Sequence, residues 1–180
     1  MPRYAAFFRG INVGKAKRIA MADLRTLLGR LGYTDVATLL NSGNAVFTAP
    51  SAKSATYAAR IREAVSKQLG VDAAVMVKSG RELADIVAGN TLADVAGDPS
   101  RLLVALVQDA KALAAVRPLA AKSWGEEKLH VGEHAAYLWC GNGILESAAL
   151  EPLIRGLAGD CTTRNWATLQ KVQALVTKES

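Results

Sequence analysis

At 180 residues, with 51% hydrophobic residues and a mean hydropathy of +0.14, the chain has ample material for a buried core and too little polarity for disorder. No apolar run approaches the ~20 residues of a membrane helix. Tyr4 to Phe8 is too short for the apolar core of a signal peptide, so a cytoplasmic protein with no membrane partner is expected. The net charge of +6 is concentrated: residues 1–30 hold seven bases (Arg3, Arg9, Lys15, Lys17, Arg18, Arg25, Arg30) against Asp23, and residues 31–180 hold fifteen of each sign. Clustered charge raises local potential and draws in anions, whereas spread charge mainly aids solubility.

Tyr4 to Phe8 is short, apolar and aromatic, the pattern of a strand. After a glycine-bearing loop, Met21, Leu24, Leu27, Leu28 and Leu31 recur at helical spacing and Gly32 closes the run. Val36 to Leu40 reads as a strand, Asn41-Ser42-Gly43-Asn44 as a turn and Ala45 to Thr48 as the returning strand of a hairpin. Pro50 and Ser51 open a long helix with Tyr57, Ile61, Val65 and Leu69 on one face and Gly70 at its end. Ala73 to Val77 is the next strand. Ser79-Gly80-Arg81-Glu82 has the form of a capping box and starts a connecting helix to Val87, followed by a loop from Asn90 to Ser100.

Leu102 to Val107 is a strongly apolar strand, and a helix from Ala110 to Ala121 follows. Lys128 to Val131 and Ala135 to Cys140 form a second hairpin. A helix covers Ala148 to Leu157, and Cys161 to Thr163 reads as a short strand. Asn165 to Val176 is an amphipathic helix with Trp166, Leu169, Val172 and Val176 inward. The expected fold is α+β: two ferredoxin-like β-α-β-β-α-β halves with mainly antiparallel sheets and a C-terminal helix. Residues 1–78 form the first half, 79–100 a connector and 101–180 the second half.

In this arrangement the third strand lies between the first and second. The loop from Gly10 to Ile19, the turn from Asn41 to Asn44 and the start of the helix at Met21 therefore emerge at one end of the first sheet. Exposed amides and the positive end of a helix dipole favour anions there. Arg9 offers a planar fork for carboxylate or phosphate, and Gly10 and Gly14 let backbone amides approach a ligand. Lys15 adds charge, while Asn12, Ser42 and Asn44 supply donors and acceptors. The same residues also serve as ordinary loop and hairpin punctuation.

Gly10 to Lys15 fails the pattern of a phosphate-binding P-loop: its glycines are one residue too close, and Ala16 replaces the Ser or Thr that holds magnesium. Cys140 and Cys161 have no zinc spacing and read as buried, unlinked residues. His130 and His134 stand across a hairpin turn without a third ligand, so no metal is assigned, nor any cofactor. Glu126 and Glu127 flank a strand and read as solvated. No nucleophile–base arrangement is recognisable, so no reaction type is assigned.

Arg9-Gly10-Ile11-Asn12-Val13-Gly14, Ser42-Gly43-Asn44 and Thr162-Thr163-Arg164-Asn165-Trp166, in this order, give the chain its kinship. It resembles the bacterial domain-of-unknown-function family sixteen-ninety-seven from Tyr4 to about Leu175. Asn142-Gly143 and Ser147 fit a further segment of that family, although Ala148 stands where a lysine is expected. The resemblance implies a two-part α+β fold related to ferredoxin-like domains, and no established activity. It implies ligand contacts by Arg9, Asn12, Asn44, Arg164 and Asn165, and leaves Trp166 as an anchor of the last helix.

The expected partner is a small anionic ligand carrying phosphate or carboxylate. The alternatives are RNA or DNA bound by the basic N-terminal region, and a protein-interaction module.

Overall fold

The computed structural model describes residues 1–178. Two four-stranded antiparallel sheets, each with helices, form two compact units. One comprises Met1–Leu83 together with the chain from Val172, and the other Ala84–Lys171. Among the described residues no helix is long and apolar enough to cross a membrane.

The first unit contains strands β1 (Arg3–Phe8), β2 (Thr34–Leu39), β3 (Asn44–Thr48) and β4 (Val75–Ser79) in the order β2-β3-β1-β4, with helices α1 (Met21–Arg30) and α2 (Ser54–Leu69). Tyr4, Ala6 and Phe8 alternate along β1 and face the same core as Ala45 and Phe47. The two helices close over that face. Leu24, Leu27 and Leu28 of α1 and Tyr57, Ile61 and Val65 of α2 are all buried, at the i, i+3, i+4 spacing of one helical stripe. Four rings knit the centre: Tyr33 stacks on Phe47 at 4.6 Å, and Tyr57 meets Tyr4 edge-on at 4.8 Å. Such pairs add about 0.5–1.5 kcal/mol each beyond the area they bury.

Helix α2 begins at Ser54, later than Pro50 and Ser51. The Tyr57 hydroxyl donates to Pro50 O and the Tyr4 hydroxyl to Ala52 O, at 3.1 Å, which hold this stretch extended against the core. Its other end stops as expected, with Gly70 left-handed at φ 68° and its N–H on Ser66 O.

The capping box is present. Ser79 N–H donates to Glu82 Oε2 at 2.7 Å, Glu82 N–H donates to Ser79 Oγ at 3.2 Å, and α3 (Gly80–Ala88) begins there. The Ser54 hydroxyl adds a third bond to Glu82 Oε2 at 2.5 Å, tying the start of α2 to that of α3. Burial alone would raise the Glu82 pKa. The hydrogen bonds from Ser54 and Ser79, with the charge of Lys78, outweigh it and hold the carboxyl below its ordinary value. A carboxyl depressed in the folded state contributes stability above its unfolded pKa of about 4.3 and loses it as pH falls through the folded value. Glu82→Gln is therefore expected to cost about 1–2 kcal/mol at pH 7 and to flatten the acid limb. Urea midpoints between pH 3 and 7 check this, and an unchanged acid slope would refute the assignment.

The second unit repeats the topology: β5 (Leu102–Val107), β6 (Lys128–Val131), β7 (Ala135–Trp139) and β8 (Cys161–Asn165) lie in the order β6-β7-β5-β8. Leu103, Ala105 and Val107 share a core with Leu138, Leu153 and Leu157, to which Cys140 and Cys161 contribute as buried, unlinked thiols. The expected helix from Ala110 to Ala121 is instead a 3₁₀ stretch, Ala110–Ala115, followed by the short α4 (Arg117–Ala120). Pro118 is the cause: it has no N–H for the ladder, its ring excludes the preceding turn, and it suits the first turn of a new helix. Helix α5 (Leu150–Gly156) follows. Then α6 (Trp166–Thr177) buries Trp166, Leu169, Val172 and Val176, and its residues from Val172 onward belong to the first unit.

Candidate functional site

The loop after β1 and the β2–β3 turn meet at one end of the first sheet. Phe8 N–H donates to Gly43 O and Arg9 N–H to Ala74 O, both at 2.9 Å, so the turn and the approach to β4 flank the point where the chain leaves β1. Asn12 then fixes the loop. Its Nδ2 donates to Ile19 O at 2.8 Å and to Asn41 O at 2.7 Å, while its Oδ1 accepts from Ile19 N–H at 2.8 Å. Its own N–H reaches Lys17 O at 3.0 Å, with a left-handed φ of 57° that asparagine tolerates. One side chain thus closes the base of the loop and staples it to the turn.

The turn is equally committed. Asn44 is buried and donates through Nδ2 to Leu39 O at 2.8 Å and to Ser42 Oγ at 3.2 Å. Gly43 has φ +92°, and a Cβ there would stand 2.6 Å from Ile11 Cδ1 and 2.9 Å from Phe8 Cβ. Asn12, Ser42 and Asn44 therefore spend hydrogen-bonding capacity on the scaffold.

What the loop presents is charge. Lys15, Lys17 and Arg18 are exposed and Arg9 is partly so, with Gly10 and Gly14 at the surface. Arg18 Nη1 wraps back onto Asn12 O at 3.3 Å and Gly14 O at 3.2 Å. The nearby acid, Asp72, is held by Arg62 at 2.8 Å. That bond and the Arg62 charge, with a smaller contribution from Lys17, lower its pKa. Helix α1 starts beside this loop with Ala20 at its N-cap and no side chain closing its first turn.

Seven of the residues singled out in the sequence (Arg9, Gly10, Asn12, Gly14, Lys15, Ser42, Asn44) thus converge within one unit. Arg164 and Asn165 lie on β8 of the second unit. Arg164 is buried and donates through Nη1 to Thr162 Oγ1 at 2.9 Å and Thr163 O at 2.8 Å, and burial pulls its pKa down to about 10. Asn165 accepts from Thr168 N–H at 2.9 Å and so caps α6.

Glu127 corrects the sequence reading. Rather than solvated, it is buried, accepting from the Ser147 hydroxyl and, at 2.6 Å, from Ala148 N–H. Ser147 Oγ in turn accepts Leu150 N–H at 3.1 Å, so the pair organises the start of α5. Burial raises the pKa of the adjacent Cys140 thiol, and the Glu127 charge acts in the same direction. Glu126 is exposed as expected, and among the described residues no group of three or more His, Cys, Asp and Glu side chains could hold a metal ion.

Comparison with known proteins adds the fold and the family. No curated protein matches the chain. Among solved structures it is similar to the conserved bacterial protein SP0830 from Streptococcus pneumoniae, with a TM-score of 0.80 and 22% identity over 98% of this chain and 99% of that one. The family model described as a protein of unknown function, DUF1697, matches residues 1–137, which include the loop and the turn of the candidate site. The chain belongs to the DUF1697 family.

Proposed function

We propose that the loop from Arg9 to Ile19, with the turn stapled to it, binds a small anionic ligand, a phosphate- or carboxylate-bearing metabolite of the cytoplasm. The observation that carries this reading is the placement of Arg9, Lys15, Lys17 and Arg18 on one short loop whose base is closed by the Asn12 side chain. A loop held in this way presents its cations without ordering itself on each binding event, which lowers the entropic cost of association. In this reading Arg9 and Lys15 contact the anion and the Gly10 and Gly14 backbone lets it approach. Asn12, Ser42 and Asn44 hold the frame.

The test is a thermal-shift screen against nucleotides, phosphorylated metabolites, carboxylates and short RNA and DNA. A cognate small ligand raises the melting temperature by linkage. Arg9→Ala is expected to weaken its binding by about tenfold to a hundredfold, the worth of one charged hydrogen bond. A shift that survives in both Arg9→Ala and Lys15→Ala would exclude this loop as the site.

A nucleic acid could use the same charge, but base recognition on a ferredoxin-like sheet relies on stacking rings. Tyr4, Phe8 and Phe47 belong to the helix-covered core, which leaves Phe7 as the one aromatic on the opposite face of this sheet. Shifts from oligonucleotides alone, abolished by salt, would favour that alternative. Val13 and Leu40, exposed on either side of the Asn12–Asn41 staple, favour a protein partner as the remaining reading.

A further inference from the structure

The repeated topology gives the second unit a counterpart to the end of the first sheet just described. There the chain leaves β5 at Val107, β6 and β7 turn through Gly132 to His134, and β8 begins at Cys161. A side chain again ties the segment after the first strand to that turn. Arg117 of α4 donates through Nη1 to Val131 O and through Nη2 to Gly132 O, both at 3.1 Å. Beside this clamp lies a cleft of about 340 Å³, lined by Gly89, Arg117, His130, Glu133, His134 and Tyr137. This is within the size range of small-ligand sites.

The cleft is kept open by missing side chains. A Cβ on Gly89 would come within 2.9 Å of Tyr137 Oη, and one on Gly132 within 3.3 Å of Tyr137 Cε2 and 3.6 Å of His130 Nε2. Its wall is ordered: the His130 ring lies parallel to that of Tyr137 at 5.7 Å, and the Tyr137 hydroxyl is committed to Ile86 O. His134 stands at the mouth, with Nε2 3.8 Å from Glu133 Oε2. Both histidines of the chain are here.

We propose that this cleft is a second oxyanion site, separate from the loop of the first unit. His130 and His134 donate to one carboxylate or phosphate group and Arg117 supplies the fixed positive charge behind them. The site requires no metal and no occupancy of the first-unit loop.

Because the chain has two histidines, their Cε1–H signals in a ¹H–¹³C correlation spectrum report the cleft directly. The full chain is titrated at constant pH with sodium phosphate and, separately, sodium acetate, against sodium chloride of matched ionic strength. Saturable shifts of both signals with phosphate or acetate, at millimolar affinity, are expected, and the more effective anion identifies the head group. His134→Gln assigns the signals and weakens binding at His130 about threefold to tenfold, while Lys15→Ala/Arg18→Ala leaves the curve unchanged. The proposal is overturned if the shifts are linear, if chloride reproduces them, or if Lys15→Ala/Arg18→Ala removes them.

Discussion

Gly43→Ala is expected to destabilise the protein by about 2–5 kcal/mol, from two separable causes. A non-glycine residue held in the left-handed region costs about 1–2 kcal/mol, and overpacking a closed core adds about 1–3 kcal/mol. Both apply at Gly43, whose φ is +92° and whose added Cβ would meet Ile11 Cδ1 at 2.6 Å and Phe8 Cβ at 2.9 Å. Phe8 Cβ is fixed to the backbone, and the terminal methyl of Ile11 is enclosed in the core, since both side chains are buried. Gly10→Ala is the control, with φ +65° and nothing within 4 Å of its Cβ, so it suffers only the backbone cost. Urea midpoints of the two variants measured side by side separate the effects. Equal losses would mean that the turn does not press on the loop as described. Ile11 lies inside the basic loop, so Gly43→Ala should also disturb ligand binding, whereas Gly10→Ala does so only through the site's own backbone.

Glu127→Ala is expected to cost about 3–6 kcal/mol, the worth of two hydrogen bonds to a buried carboxylate. The substitution removes the acceptor for the Ser147 hydroxyl and for Ala148 N–H, and with it the arrangement by which Ser147 receives Leu150 N–H at the start of α5. Glu127→Gln keeps one carbonyl oxygen and should recover about half the loss. Chemical denaturation checks both variants, with amide exchange across residues 147–153 locating the change. If Glu127→Ala leaves stability and exchange untouched, the buried carboxylate is not an organising element.

The reasons these residues differ in legibility are physical. The faces of α1, α2 and α6 are written in a local period of about 3.6, and strand Leu102–Val107 in a short unbroken apolar run of β-strand length, so both can be read without knowing what packs against them. The capping box at Ser79 and Glu82 is likewise local, its partners three residues apart. The convergence of the Gly10–Ile19 loop and the Asn41–Asn44 turn followed from strand order alone. The work done by Asn12 did not, because Asn41 is 29 residues away and either a ligand or a backbone carbonyl would satisfy an amide.

Glu127 is the clearest omission: its partners, 20 and 21 residues on, become neighbours only when the chain between β7 and α5 folds back. The break at Pro118 was visible in the sequence, since proline within a helical pattern ends it. The alanines and leucines on both sides of the proline favour a helix, which is why the stretch reads as one element from Ala110 to Ala121. Asn165 carried its own signal too, an Asn three residues before Thr168 at the start of an apolar stripe.

Arg3 links the two extremes of the chain: its Nη1 donates to Leu175 O at 2.6 Å and Lys178 O at 2.9 Å, and Val176 packs against Gly80. The unit that bears the basic loop is therefore built from two separate stretches of chain, while the Ala84–Lys171 unit between them is continuous in sequence. During synthesis the inserted unit can be complete while the first still lacks the segment that starts at Val172. The basic loop belongs to a unit whose contacts from Arg3 to Leu175 wait until the whole inserted unit has been made, so its assembly is timed by the ribosome rather than by its own core.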